Sequence, residues 1–230
     1  MDWSDRGIVL AVRRHGETSA IAHVLTDAHG RHAGLVRGGA GRRSRGTLQP
    51  GNEVYVSWRA RLSEHLGTFT LELVRPRAAE ALQDPLRLAA VSAAAEIADA
   101  ALPERAPHPA AYAALATLLD AVASGTAGWT AAYARWELGF LAEIGSGLDL
   151  EAARTPGRWA VSPRTGTALA AGGPGPLLPL PPFLLGRDAS APPQAVRDAL
   201  TLTGAFLKPA VPDARRLAAR TRFLQRLDTS

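Results

Sequence analysis

The residues with the clearest capacity for chemistry lie between Leu35 and Gly46, in the stretch LVRGGAGRRSRG. Four of its twelve residues are arginine, four are glycine and none is acidic. Guanidinium groups present forked donors that match phosphate oxygens, and glycines let a backbone approach a polyanion and bend around it. The acid-free segment is longer than the loop itself. From Ala28 to Asn52 there are five arginines, Arg31, Arg37, Arg42, Arg43 and Arg45, and no Asp or Glu. This pattern offers neutralisation of a nucleic-acid backbone. The competing reading is a solvated loop whose charge serves solubility. A nucleotide-hydrolysing phosphate loop is not expected: GxxxxGK does not occur, and the stretch leads into a further β pattern rather than a helix.

Other residue types point away from catalysis. His23, His29 and His32 cluster around Asp27, but no helical HExxH orients two imidazoles, so turn and surface histidines are the favoured reading and no metal is expected. Gly145-Ser146-Gly147 lacks the GxSxG frame of a nucleophile elbow. There is no cysteine, which excludes disulfides and thiolate metal sites. No catalytic residue and no cofactor are expected, and the chain is read as a non-enzyme.

Two further groupings suit binding. Near the C-terminus, Lys208, Arg215, Arg216, Arg220, Arg222 and Arg226 outnumber Asp213 and Asp228. They form either a second basic face or a charged solvent face beside Leu217, Phe223 and Leu227. Around residue 135, Arg135 precedes Trp136 and Phe140, which sit one helical turn apart. An arginine at the lip of an aromatic groove suits an acidic, aromatic-ended peptide; plain core packing is the simpler account of the two rings.

The elements that must position these residues change character near residue 80. Before it, the chain reads as five short strands: Gly7 to Arg13, Thr18 to Thr26, Arg31 to Arg37, Asn52 to Arg59 and Thr68 to Val74. The second and third form a hairpin about the Asp27–Gly30 turn. Val54, Val56 and Trp58 alternate onto one face, as do Phe69, Leu71 and Leu73, so Trp58 reads as core rather than as a base-stacking platform beside Tyr55 and Trp3. So many short strands with turns between them suggest a small closed barrel of the OB type, which leaves no exposed edge. Beyond Glu80 the pattern is helical. Asp84-Pro85 is a helix start, and helices are expected over 86–101, from Pro107 and Pro109 to about Ser124, over 130–144, 194–207 and 213–227. Residues 145–193, rich in Pro and Gly, show no helical period.

The net charge of +5 favours anionic partners, and 47% apolar residues suffice for a real core. The acidic start MDWSD does not read as a signal peptide and no apolar run is long enough to span a membrane, so a cytoplasmic location is expected.

Taken in order, several segments resemble the RecO family of recombination mediators. They are GIVLAVRRHGETSAIAHVLTDAHGRHAGLVRGGAGRRSR, LQPGNEVYVSWRARLSEHLGTFTLE, ARWELGFLAEIGSGLDL, VSPRTG and LTGAFL. The resemblance implies an α+β chain: an N-terminal five-stranded OB-type barrel over residues 1–80, then an α-helical domain over 81–230 with a zinc-finger-like insertion at about 145–193. It implies binding of single- and double-stranded DNA, strand annealing, partnership with RecR, loading of RecA and a place at the nucleoid. It also implies binding of the acidic C-terminal tail of single-strand-binding protein. The residues carried over for DNA are Arg13, Arg31, Arg37, Arg42, Arg43, Arg45, Arg59 and Arg61; those for the tail are Arg135 and Trp136. In one respect the sequence departs from the family: the insertion has no cysteines, so it must be held by packing of Leu148, Leu150, Trp159 and Val161, without zinc. The alternative reading is a protein-interaction adaptor that binds an acidic tail without significant DNA binding.

Overall fold

The computed structural model describes residues 1–62, 64–186, 191–211, 213 and 217–229. The chain forms two compact units, Met1–Gly125 with Arg215–Ser230, and Thr126–Ala214.

The first unit is built on a closed five-stranded barrel with strand order β1-β2-β3-β5-β4. Strand β1 (Asp2–His15) is twice the length expected and serves two neighbours. Its first half pairs with β4 (Glu53–Arg59), and its second half with β2 (Ser19–Thr26), across an irregularity between Val9 and Ala11. Such a bulge bends a long strand so that one chain can turn a barrel corner. Strand β2 pairs with β3 (Gly30–Val36) through the expected hairpin, and β4 with β5 (Thr68–Arg75). Closure comes from one parallel pair, Leu35 with Thr68.

The period-two alternation sets the interior: Val9, Val24, Val54, Val56, Trp58 and Phe69 are all buried. Trp58 is only 3% exposed, so it is core, as its phase with Val54 and Val56 requires. Burial fades along β5, and Leu73, in phase with Phe69, is exposed.

Helices α1 (Arg77–Glu80), α2 (Pro85–Ala101) and α3 (Pro109–Ser124) complete most of this unit. Asp84 caps α2 as its sequence predicts, accepting from the amides of Leu86 and Arg87. The buried face of α2 is largely alanine, which allows close packing. Asp99 ties α2 to the barrel, accepting from His23 Nδ1 at 2.6 Å and Arg31 Nη1 at 3.2 Å. The last helix, α6 (Ala218–Leu227), begins later than the 213 start read from the sequence and packs against α2 within the same unit.

The second unit contains α4 (Trp129–Glu143), α5 (Pro193–Ala210) and a small sheet of β6 (Trp159–Val161), β7 (Ala168–Ala170) and β8 (Leu178–Pro179), in the order β7-β6-β8. The Pro-Arg-Thr-Gly turn joins β6 to β7, with the Gly166 amide donating to Ser162 O at 2.8 Å. In the core, the Thr203 hydroxyl of α5 donates to Glu137 of α4 at 2.5 Å. The cysteine-free insertion is thus a hairpin with one added strand, with Val161 buried at its centre.

Candidate nucleic-acid interface

The arginine–glycine loop is a series of short turns folded on itself. The amide of Gly41 donates to Gly38 O and that of Leu48 to Ser44 O, while the Ser44 hydroxyl reaches Gly38 O at 3.1 Å. Leu48 anchors the loop in the barrel core. Asn52, buried, fixes its far end. Its Nδ2 donates to Gly46 O at 2.8 Å and Thr47 O at 3.3 Å, and its Oδ1 accepts from the Ala78 amide at 3.0 Å. The loop also meets the β1–β2 turn, where the amide of Ala40 donates to Thr18 O.

The arginines of residues 1–105 divide into two sets. Arg6, Arg31, Arg75, Arg77, Arg87 and Arg105 pair with carboxylates. Arg13, Arg14, Arg37, Arg42, Arg43, Arg45, Arg59 and Arg61 are exposed, and none has an ion-pair partner among the described residues. Arg37 and Arg59 line one cleft of about 600 Å³ with Ser57, Thr68 and Thr70, and with Asp2 as its only acid. Exposed, unpaired guanidinium groups beside hydroxyls suit a phosphodiester backbone, which they meet without first breaking an internal pair.

Two residues of the sequence-based set require correction. Arg31 is turned into the fold: its Nε donates to Leu102 O at 2.9 Å, in addition to the pair with Asp99. Arg220 is buried, so it is not part of an exposed basic face. In both cases α2 is involved: the Arg31 side chain reaches Asp99 of α2, and Arg220 lies on α6, which packs against α2; the sequence gives no direct sign of either approach. Arg215 and Arg216 lie outside the described residues. Arg222 is exposed and shares a cleft of about 410 Å³ with Arg13, Glu96 and Asp99. The structure therefore joins Arg13, of the set carried over for DNA, to Arg222 of the C-terminal cluster, which their separation in sequence did not suggest.

The aromatics are placed as follows. Tyr55 is exposed on the outside of β4. Trp3 points to the end of the barrel, paired across strands with Trp58 and stacked on His29. In the second unit, Arg135 sets its guanidinium carbon 5.8 Å from the centre of the Phe183 ring, a cation–π geometry. Trp136 is buried and stacks on Phe140, with Nε1 lacking a hydrogen-bond partner. It is core, and Arg135 alone of the pair reaches the surface. Among the described residues no cluster of three potential metal ligands occurs, and no helix is long and apolar enough to cross a membrane.

Residues 1–77 match the family described as Recombination protein O N terminal, and residues 82–217 match Recombination protein O C terminal. The chain is 51% identical to the DNA repair protein RecO of Rhodospirillum centenum, over 98% of this chain and 94% of that protein. It is 48% identical to the protein of the same name from Rhodospirillum rubrum, over 99% and 96% of the two chains. A third relative of that name, from Ruegeria sp., is 45% identical over 99% and 98%.

Proposed function

The chain belongs to the RecO family of DNA repair proteins, and from this premise we propose that it is a non-enzymatic recombination mediator whose barrel binds single- and double-stranded DNA. The reading is carried by one observation: eight exposed arginines on the barrel and its loops have no carboxylate partner among the described residues, whereas Arg6, Arg31, Arg75 and Arg77 are paired with carboxylates. Phosphate neutralisation would release condensed counterions and let two complementary strands approach and pair without ATP. Partnership with RecR and delivery of RecA to strands coated by single-strand-binding protein belong to the same proposal. So does a contact between Arg135 and the acidic C-terminal tail of that protein, supported by the guanidinium's place over Phe183.

The test is fluorescence anisotropy of a labelled single-stranded oligonucleotide across a salt series, for the native protein and an Arg42/Arg43/Arg45→Ala variant. If four or five arginines each meet a phosphate, the log–log salt slope is about −3 for single strands, and losing three of them removes about 2 of it. An unchanged slope in the variant would move DNA away from the loop. Negligible DNA affinity in moderate salt with normal binding of the tail peptide would favour the adaptor reading instead.

A further inference from the structure

We propose that the cleft at one end of the barrel, lined by Trp3, His29, His32, Trp58 and Arg105, holds a single unstacked base of a DNA strand. This rests on the reading of the barrel as a DNA-binding module and adds a site for a base where the arginine surface accounts only for phosphates.

Three rings form a continuous stack that runs from the core outward. Trp58 is buried; Trp3 lies with its centroid 5.7 Å from it; His29 follows at 4.2 Å, within 7° of parallel to Trp3. Asp5 Oδ2, 3.1 Å from His29 Nδ1, fixes the outer ring. The adjoining cleft measures about 580 Å³, within the range of roughly 300–1,000 Å³ usual for small-ligand sites.

Two residues that line this aromatic cleft each carry a buried nitrogen with no hydrogen-bond partner. His32 is 6% exposed and its Nδ1 is unpartnered. The buried Nε of Arg105 is also unpartnered, with the nearest carboxylate, that of Glu104, at 3.8 Å. Buried polar atoms are nearly always satisfied, so two exceptions in one cleft point to a missing partner. Arg105 is also the one non-glycine residue with positive φ among those described, at 61°, and its Nη2 donates to the carbonyls of Glu64 and His65 at 3.0 and 3.1 Å. Its guanidinium is thus held in place at the expense of backbone strain, a feature that collects at binding sites.

A nucleobase answers each of these demands. Its faces suit aromatic walls, and its edges offer acceptors to Arg105 and a hydrogen-bonding partner to His32 in either tautomer. The neighbouring Arg37–Arg59 cleft shares Asp2, Trp3 and Trp58 with this one. A phosphate held by Arg37 and Arg59 would therefore bring an adjacent base to the Trp3–Trp58 wall. A base inside a duplex has its faces and edges occupied and cannot enter.

Binding of single-stranded and duplex oligonucleotides by the native protein, His29→Ala and Arg105→Lys decides the matter, with circular dichroism to verify folding. The expected result is a roughly 5- to 100-fold loss of single-strand affinity in His29→Ala, with duplex affinity and salt slope unchanged. Arg105→Lys, which keeps the charge and loses the Nε donor, should shift in the same direction, and native tryptophan emission should respond to single strands but not to duplex. Equal losses on both DNA forms, or no loss in either variant, would overturn the base pocket while leaving the arginine surface intact. No binding of any DNA by the native protein would remove the proposed function and this inference together. Displacement of the labelled strand by an equal concentration of free deoxyadenosine monophosphate would overturn the strand-borne form of the proposal.

Discussion

Glu96, on α2, sets its Oε2 2.7 Å from the backbone nitrogen of Ala219 and 3.2 Å from that of Arg220. A side chain of one helix thus caps the first turn of another, whose own preceding residue, Leu217, supplies no side-chain cap. Burial pushes the Glu96 carboxyl above its ordinary value, against the downward pull of the two amides and Arg222.

Removal of this cap by Glu96→Ala is expected to cost about 1–2 kcal/mol in urea denaturation. Glu96→Gln keeps an acceptor with no charge to desolvate and should equal or exceed the native protein at neutral pH. Because the folded pKa lies above the unfolded value, the stabilising contribution of Glu96 is full below the ordinary 4.5 and declines as pH rises through the folded value. The advantage of Gln over Glu should therefore grow over that same rise.

His32 titrates in the opposite sense. Burial, then the charge of Arg105 and the neighbouring His29, lower its pKa below 6.5. The stability due to its neutral form is present above 6.5 and is lost as pH falls through the folded value. Denaturation midpoints of the native protein should fall between about pH 7 and about pH 5 more steeply than those of His32→Asn, which has no proton to take up in that window.

Asn52→Ala leaves every arginine in place but removes the three hydrogen bonds that fix the loop end, including the one that satisfies the Ala78 amide. A loss of about 2–4 kcal/mol is expected from thermal denaturation, since buried groups lose their partners. DNA affinity at constant salt should drop as well, because the loop charges would no longer be pre-positioned.

Two glycines of the acid-free segment should respond in opposite ways. Gly30 has φ of +70°, and a Cβ there would lie 1.9 Å from the Ala106 carbonyl oxygen, so Gly30→Ala must displace backbone. A cost above about 2 kcal/mol follows from strain and overpacking together. At Gly46 a Cβ meets nothing within 4 Å, and Gly46→Ala should be neutral or stabilising by about 0.4–1 kcal/mol. Paired urea titrations of the two variants measure the contrast.

The barrel was legible because its signals are local. Alternation put Val54, Val56 and Trp58 on one face, and the Asp27–Gly30 turn announced its hairpin. Asp84-Pro85 likewise marked the start of α2. What could not be read were side chains whose partners are distant in sequence. Arg31 looks like a loop-side cation until Asp99 and Leu102 are brought against it. His29 looks like a turn residue and His32 like an ordinary strand residue until Trp3 and Arg105 arrive from either side of the chain. The buried position of Trp136 was the plainer of two readings at its helical spacing, and Arg135 was separable from it only once Phe183 was in place.

The return of α6 to the barrel's unit bears on the order in which the protein can be completed on the ribosome. The helix docks on α2, yet roughly 90 residues forming the other unit are translated between Gly125 and that helix. At about 5–20 residues per second, the barrel unit waits some 5 to 20 s for its final piece while the intervening unit emerges whole. During that interval the α6-facing side of α2 and the Glu96 carboxylate stand uncovered, which makes the nascent chain, more than the finished protein, the form most open to chaperones and proteases.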